Sequence, residues 1–166
     1  MYYVSVGLIT NSINPAHAVP LEFAAVLPGK ETFHCFFHQE YVKIRPGETA
    51  RIIEWEKRSW GKERLSAVGF QRKFLDFLEE HAYPTNIFTL AGKHMHLTTF
   101  PIVHSLLSET VRWSFTHFDP CALLAEKDDE FIPSWQAACA AYDVAVPQDA
   151  LSEAWLISRM VKDHLL

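Results

Sequence analysis

Three strand-length apolar runs crowd the first forty residues, and that density constrains the fold more than any other feature of the chain. Tyr2 to Ile9 is nearly continuous in apolar character, as expected of a strand covered on both faces. Pro20 to Leu27 is a second such run, closed by Pro28-Gly29, and Glu31 to His38 is a third. The connections carry turn formers such as Asn14-Pro15 and are too short for crossovers, so the three runs predict an antiparallel meander.

After Pro46-Gly47 the apolar spacing turns helical. Ala67, Phe70, Phe74 and Leu78 recur at intervals of three and four and give one apolar face. Asn86 to Ala91 reads as a short strand ended by Gly92, and Thr99 before Phe100-Pro101 reads as a helix start with a threonine cap and an early proline. Val103, Leu106 and Leu107 supply the buried stripe of that helix. Val111 to Phe118 alternates, with Val111, Trp113, Phe115 and His117 on one face, which predicts another strand. Ser134 then caps a helix that buries Trp135, Ala138, Cys139 and Tyr142. A last helix from about Asp149 buries Ala150, Ala154, Ile157, Val161 and Leu165.

No repeat, low-complexity tract or linker divides the 166 residues, so residues 1–166 read as one domain. The order of elements predicts an α/β fold: a mixed sheet of three antiparallel strands and then two further parallel strands, with helices on both faces. Hydrophobic content of 49% with 21% charged residues fits a globular protein. The absence of a long apolar run and of a basic N-terminal segment leaves no membrane contact and a cytoplasmic location as the expectation. Cys35, Cys121 and Cys139 have no close pairing and read as small buried hydrophobes.

Several segments, in order and at matching separations, resemble the DEDDh (DnaQ-like) 3'-5' exonuclease family of the ribonuclease-H-like superfamily. Leu21-Glu22-Phe23-Ala24-Ala25-Val26 is similar to that family's second strand. Ala91-Gly92-Lys93-His94 through Phe100 resembles the stretch that leads from its fourth strand into a helix. Phe118-Asp119-Pro120, Ile132-Pro133-Ser134-Trp135 and Gln148-Asp149-Ala150-Leu151-Ser152-Glu153-Ala154 resemble its closing run.

The resemblance implies a two-metal nuclease, in which carboxylates hold two divalent ions about 4 Å apart. Its Asp-x-Glu pair on the first strand falls on Gly7 and Ile9, its third acid on Thr98 and its general-base histidine on Gln148. Only the last acid survives in kind, as Glu153. One carboxylate cannot neutralise two divalent cations, and no shift of register helps, because no acid lies between Met1 and Leu21. Neither metal nor other cofactor is therefore expected, with Mg or Mn entering only if the site is active.

Three further clusters bear on function. His94 and His96 form a His-x-His pair that could serve as a transition-metal half-site with Glu153, or simply hydrogen-bond in a loop. His34 and His38 stand about 13 Å apart on a strand, too far to share an ion. Trp55 to Lys62, with Lys57, Arg58, Trp60 and Lys62, interleaves aromatic and basic residues as single-strand binding surfaces do; the alternative is a charged loop anchored by two core tryptophans. Trp135, Cys139 and Trp155 read as core, and Glu22 and Asp119 as structural acids.

The net charge of -5 excludes indiscriminate coating of nucleic acid, although basic residues concentrate between Arg51 and Lys73. The leading expectation is a pseudo-exonuclease with residual binding of single-stranded nucleic acid. The second is a protein-interaction or dimerisation module, with a homo-oligomer or another protein as partner. The third is a nuclease with a metal site rebuilt around His94, His96 and Glu153.

Overall fold

Strands β1 (Tyr3–Thr10), β2 (Pro20–Val26) and β3 (Thr32–Phe37) form the expected antiparallel meander, with Gly7 opposite Ala24, Ile9 opposite Glu22 and Glu22 opposite Phe36. The computed structural model describes residues 3–12, 14–39, 47–83, 88–114, 116–122 and 135–165. Tyr2, Asn86, Ile87, Phe115 and Ser134, named above in strand and cap roles, lie outside the described residues. Helix α1 (Thr49–Ser59) and a two-residue strand β4 (Arg64–Leu65) follow the meander, and β4 pairs parallel to β3. After helix α2 (Ala67–Glu80), strand β5 (Thr89–Ala91) inserts parallel to β1, giving the sheet order β4-β3-β2-β1-β5. Helices α3 (Phe100–Leu107), α4 (Trp135–Ala141) and α5 (Ala150–Leu165) follow.

The period of two along β1 divides the molecule into layers. Val4, Val6 and Leu8 point into a core built with Phe70 and Phe74 of α2 and Val103 and Leu107 of α3. The Phe23 ring meets Phe70 and Phe74 edge-on at 4.9 and 5.2 Å between centroids, contacts worth about 0.5–1.5 kcal/mol each beyond area burial. On the other face, Ala24, Val26 and Ile9 pack against Ala150 and Ala154 of α5. A separate cluster joins α4 and α5 through Trp135, Ala138, Cys139 and Ile157. No described helix is long and apolar enough to cross a membrane.

Four local expectations are corrected. The segment read as a charged loop is the end of helix α1, where Ile52 and Trp55 pack on Leu21 and Phe36. Of its two tryptophans only Trp55 is core, since Trp60 is 81% exposed; Trp155 is likewise 39% exposed. Among its described residues, Val111 to Phe118 makes two isolated parallel bridges, Phe88 to Trp113 and Ala91 to Phe118, and no continuous strand. The ladder is broken because the Leu90 N–H donates to the His117 ring at Nδ1 (3.0 Å) instead of to a carbonyl. Thr99 does not cap α3: a wide helical turn, Met95–Thr99, runs into the helix, and the Thr99 hydroxyl donates to the Lys93 carbonyl (2.5 Å).

Candidate functional site

Gly7 and Ile9 lie on the β1 face that α5 covers, and Glu153 projects from α5 onto the same strand. The approach of helix to strand is unusually close. A Cβ placed on Gly7 would stand 1.9 Å from the Ala150 carbonyl oxygen and 2.9 Å from the Ala154 backbone nitrogen. Glycine at this position, with Ala24, Ala150 and Ala154 around it, is what lets the helix backbone rest on the strand. Ile9 fills the next position along the seam, packed against the same alanines and Leu151.

Glu153 is 1% exposed and fully engaged. Its Oε1 accepts from the Leu8 N–H (3.0 Å), and its Oε2 takes the Lys93 ammonium at 2.7 Å. The β1–β5 ladder ends at Ser5 opposite Ala91, whereas β1 runs on to Thr10, so the carboxylate stands in for the missing strand partner at Leu8. Burial pushes the Glu153 carboxyl above its ordinary range, while the Lys93 ammonium and the Leu8 N–H pull it back. Lys93 also sits 5.9 Å from the Trp135 ring centre.

The other matched positions are engaged in local hydrogen bonds. Thr98 is held in its own turn, its N–H donating to the His94 carbonyl (3.0 Å) with its hydroxyl directed to the same oxygen (3.5 Å). Gln148 is exposed and donates to the Val146 carbonyl (3.1 Å). Among the described residues, no hydrogen bond links either of them to Glu153 or to β1. His94 adopts a left-handed conformation at φ 46° and is half-buried beside Asp119, whereas His96 is exposed and acts on His117. Burial lowers the His94 and His117 rings below their ordinary value. Asp119 is structural, its two oxygens accepting from the Met95 and Cys121 N–H groups (3.0 and 2.9 Å).

The donor set of the seam does not fit a pair of divalent ions. The matched positions keep one carboxylate, already paired with an ammonium, and Gly7 and Ile9 offer no side-chain oxygen. Among the described residues no three His, Cys, Asp or Glu side chains gather as a metal centre needs. Burial pushes the Cys35 and Cys121 thiols up to about 12, which disfavours the thiolate that a nucleophile needs.

A second buried acid faces α5 from β2. Glu22 is 1% exposed, accepts from Nη1 and Nη2 of Arg58, and meets His34 Nε2 at 2.6 Å. Burial alone would raise its carboxyl, but the hydrogen bonds from His34 and Arg58 outweigh that and hold it below its ordinary value of 4.5. Arg58, expected as a phosphate contact, is therefore committed inward, which no local signal showed because its partner lies 36 residues away. Lys57 is exposed, and Lys62 lies 5.4 Å from the Phe36 ring centre beside exposed Trp60.

Glu22→Gln is expected to cost about 2–4 kcal/mol by leaving Arg58 without its countercharge. A carboxyl held below its ordinary value contributes stability that is present above 4.5 and is lost as the pH falls through the lower folded value. The variant should therefore also flatten the acid limb of a plot of denaturation midpoint against pH. A limb as steep as that of the parent would show that Glu22 does not carry it.

No protein-family profile matches the chain, and no curated protein sequence matches it. Among solved structures, E. coli exonuclease I in complex with a 5cy-dT13 oligonucleotide superposes with a TM-score of 0.63 at 16% identity, over 97% of this chain and 40% of that one. A moderately thermophilic exonuclease I from Methylocaldum szegediense gives 0.63 at 14% identity, over 98% and 40%. E. coli exonuclease I in complex with a 5cy-dA13 oligonucleotide gives 0.57 at 13%, over 97% and 39%. The chain thus spans about 40% of the length of these proteins. At such identities the likeness establishes architecture alone: with its mixed five-stranded sheet flanked by helices, this chain has a ribonuclease-H-like α/β fold, similar to that of the exonuclease I structures.

Proposed function

We propose that this chain is a single exonuclease-like domain that binds single-stranded nucleic acid without cleaving it. The observation that carries the reading is the Lys93 ammonium 2.7 Å from Glu153, which places a fixed positive charge of the protein on the one acid left at the matched positions. Gly7, pressed against the Ala150 carbonyl, leaves no space for a restored first-strand acid. The binding part of the reading draws on Trp60, 81% exposed beside Lys57 and Lys62, and on the oligonucleotide held by an exonuclease I of the same fold. Stacking of a base on Trp60 with phosphate contacts from the two lysines is the chemistry such a surface performs.

The test is direct. End-labelled single-stranded DNA and RNA incubated with the protein and magnesium or manganese should stay full length, while fluorescence anisotropy should detect binding that weakens as salt rises. Trp60→Ala should weaken that binding about tenfold, given the ~1–3 kcal/mol typical of a base stacked on an aromatic ring. Metal-dependent shortening that Glu153→Gln abolishes would overturn the reading.

A second reading, a protein-interaction or dimerisation surface, rests on Ile53, 49% exposed on α1, and Trp60 at that helix's end. Complete absence of salt-sensitive oligonucleotide binding, together with a change of oligomeric state on Trp60→Ala, would favour it.

A further inference from the structure

Helix α5 rests on the sheet at Gly7 through Ala150 and Ala154, and beside its C-terminal half a half-open pocket lies against β1 and the end of β2. That pocket is a cavity of about 320 Å³, with Val26, Leu27 and Val161 among its apolar walls and Tyr3 at its side. Ser5 of β1 and Ser158 of α5 belong to its lining. Ser5 is 3% exposed, and Ser158 is half-buried. Each of these side chains brings a hydroxyl that can donate one hydrogen bond and accept others.

The mouth of the cavity carries Lys30 and Lys162, and no acidic residue lines it. Lys30 is held there by its turn: its N–H donates to the Leu27 carbonyl (2.9 Å), the Leu27 N–H donates to the Glu31 carbonyl (3.0 Å), and its backbone takes the left-handed φ of 76°. Its ammonium lies 5.8 Å from the Trp155 ring centre, which places an indole beside the opening.

We infer that this cavity between β1, β2 and α5 binds a small organic monoanion with an apolar body, its carboxylate held between Lys30 and Lys162 and hydrogen-bonded by Ser5 and Ser158. The apolar walls take the body, the two cations fix the head, and the volume lies at the lower end for small-molecule sites. A polyanion suits it poorly, since the chain as a whole carries -5. The inference is independent of nucleic-acid binding, because none of these residues lies on the Trp60 surface.

The experiment is calorimetry on the full chain with octanoate, octanol and acetate, read alongside Trp155 fluorescence. Octanoate should bind, octanol about tenfold more weakly for want of the charged head, and acetate not measurably. Lys30→Glu/Lys162→Glu should weaken octanoate by tenfold or more while leaving the denaturation midpoint near that of the parent, as both residues are exposed. Ser5→Ala should weaken octanoate relative to octanol. Equal binding of octanol and octanoate, no heat with octanoate at millimolar concentration, or octanoate binding unchanged by the double charge reversal would each overturn the assignment.

Discussion

Gly7→Asp is expected to unfold the protein rather than arm it. Any side chain at this position drives its Cβ to 1.9 Å from the Ala150 carbonyl oxygen, and the obstacle is backbone, which cannot rotate away. Helix α5 would have to lift from β1, opening the contact that Ala24, Val26, Ala150 and Ala154 share. Overpacking costs about 1–3 kcal/mol where neighbours can shift, and a buried unpaired carboxylate adds to that, so at least about 4 kcal/mol should be lost. Gly7→Ala isolates the steric part and should cost about 2 kcal/mol. Urea denaturation followed by circular dichroism measures both. Stability near that of the parent for Gly7→Asp would mean that the helix yields easily and that a first-strand acid is compatible with this fold.

Removing Lys93 should be nearly as damaging. Lys93→Met leaves Glu153 buried at 1% exposure with only the Leu8 N–H as partner, and breaking a buried pair in this way costs about 3–5 kcal/mol. The double variant Lys93→Met/Glu153→Gln removes the stranded charge and should regain at least half of that loss, giving a large coupling energy in a double-mutant cycle. The pH dependence has a definite sign. Burial already raises the Glu153 carboxyl, and a raised carboxyl binds its proton more tightly in the folded chain than in the unfolded one. Lys93→Met should therefore be least stable at neutral and alkaline pH and recover as the pH falls through the raised value. A loss that is independent of pH, or additive single and double variants, would show that the ion pair contributes little.

These two variants separate what was legible in the chain from what was not. Strands β1 to β3 were readable because each is a run of apolar residues bounded by turn formers, and α2 because Phe70, Phe74 and Leu78 repeat at helical spacing. Helix α1 was not readable: its buried side is only Ile52, Trp55 and Ser59, and the surrounding charges give the look of a solvated loop. Strand β4 carries no signal of its own, since two residues become a strand only where Phe36 and Phe37 offer a ladder. The edge segment ending at Phe118 failed for a local reason, the His117 ring taking a bond that a regular strand would have left to its neighbour.

The sequence by itself determined the α/β layout and the lack of acids on the first strand, because apolar period and residue identity are local properties. Only the tertiary structure decided what stands in that place. Lys93 and Glu153 are 60 residues apart, and Arg58 reaches Glu22 across 36, so no spacing rule links either pair. The packing of α5 onto Gly7 brings the first pair to the seam, and the packing of α1 against β2 and β3 joins the second. Burial then makes each charge depend on its partner, a dependence that exists only in the folded chain because in water either group would be solvated alone.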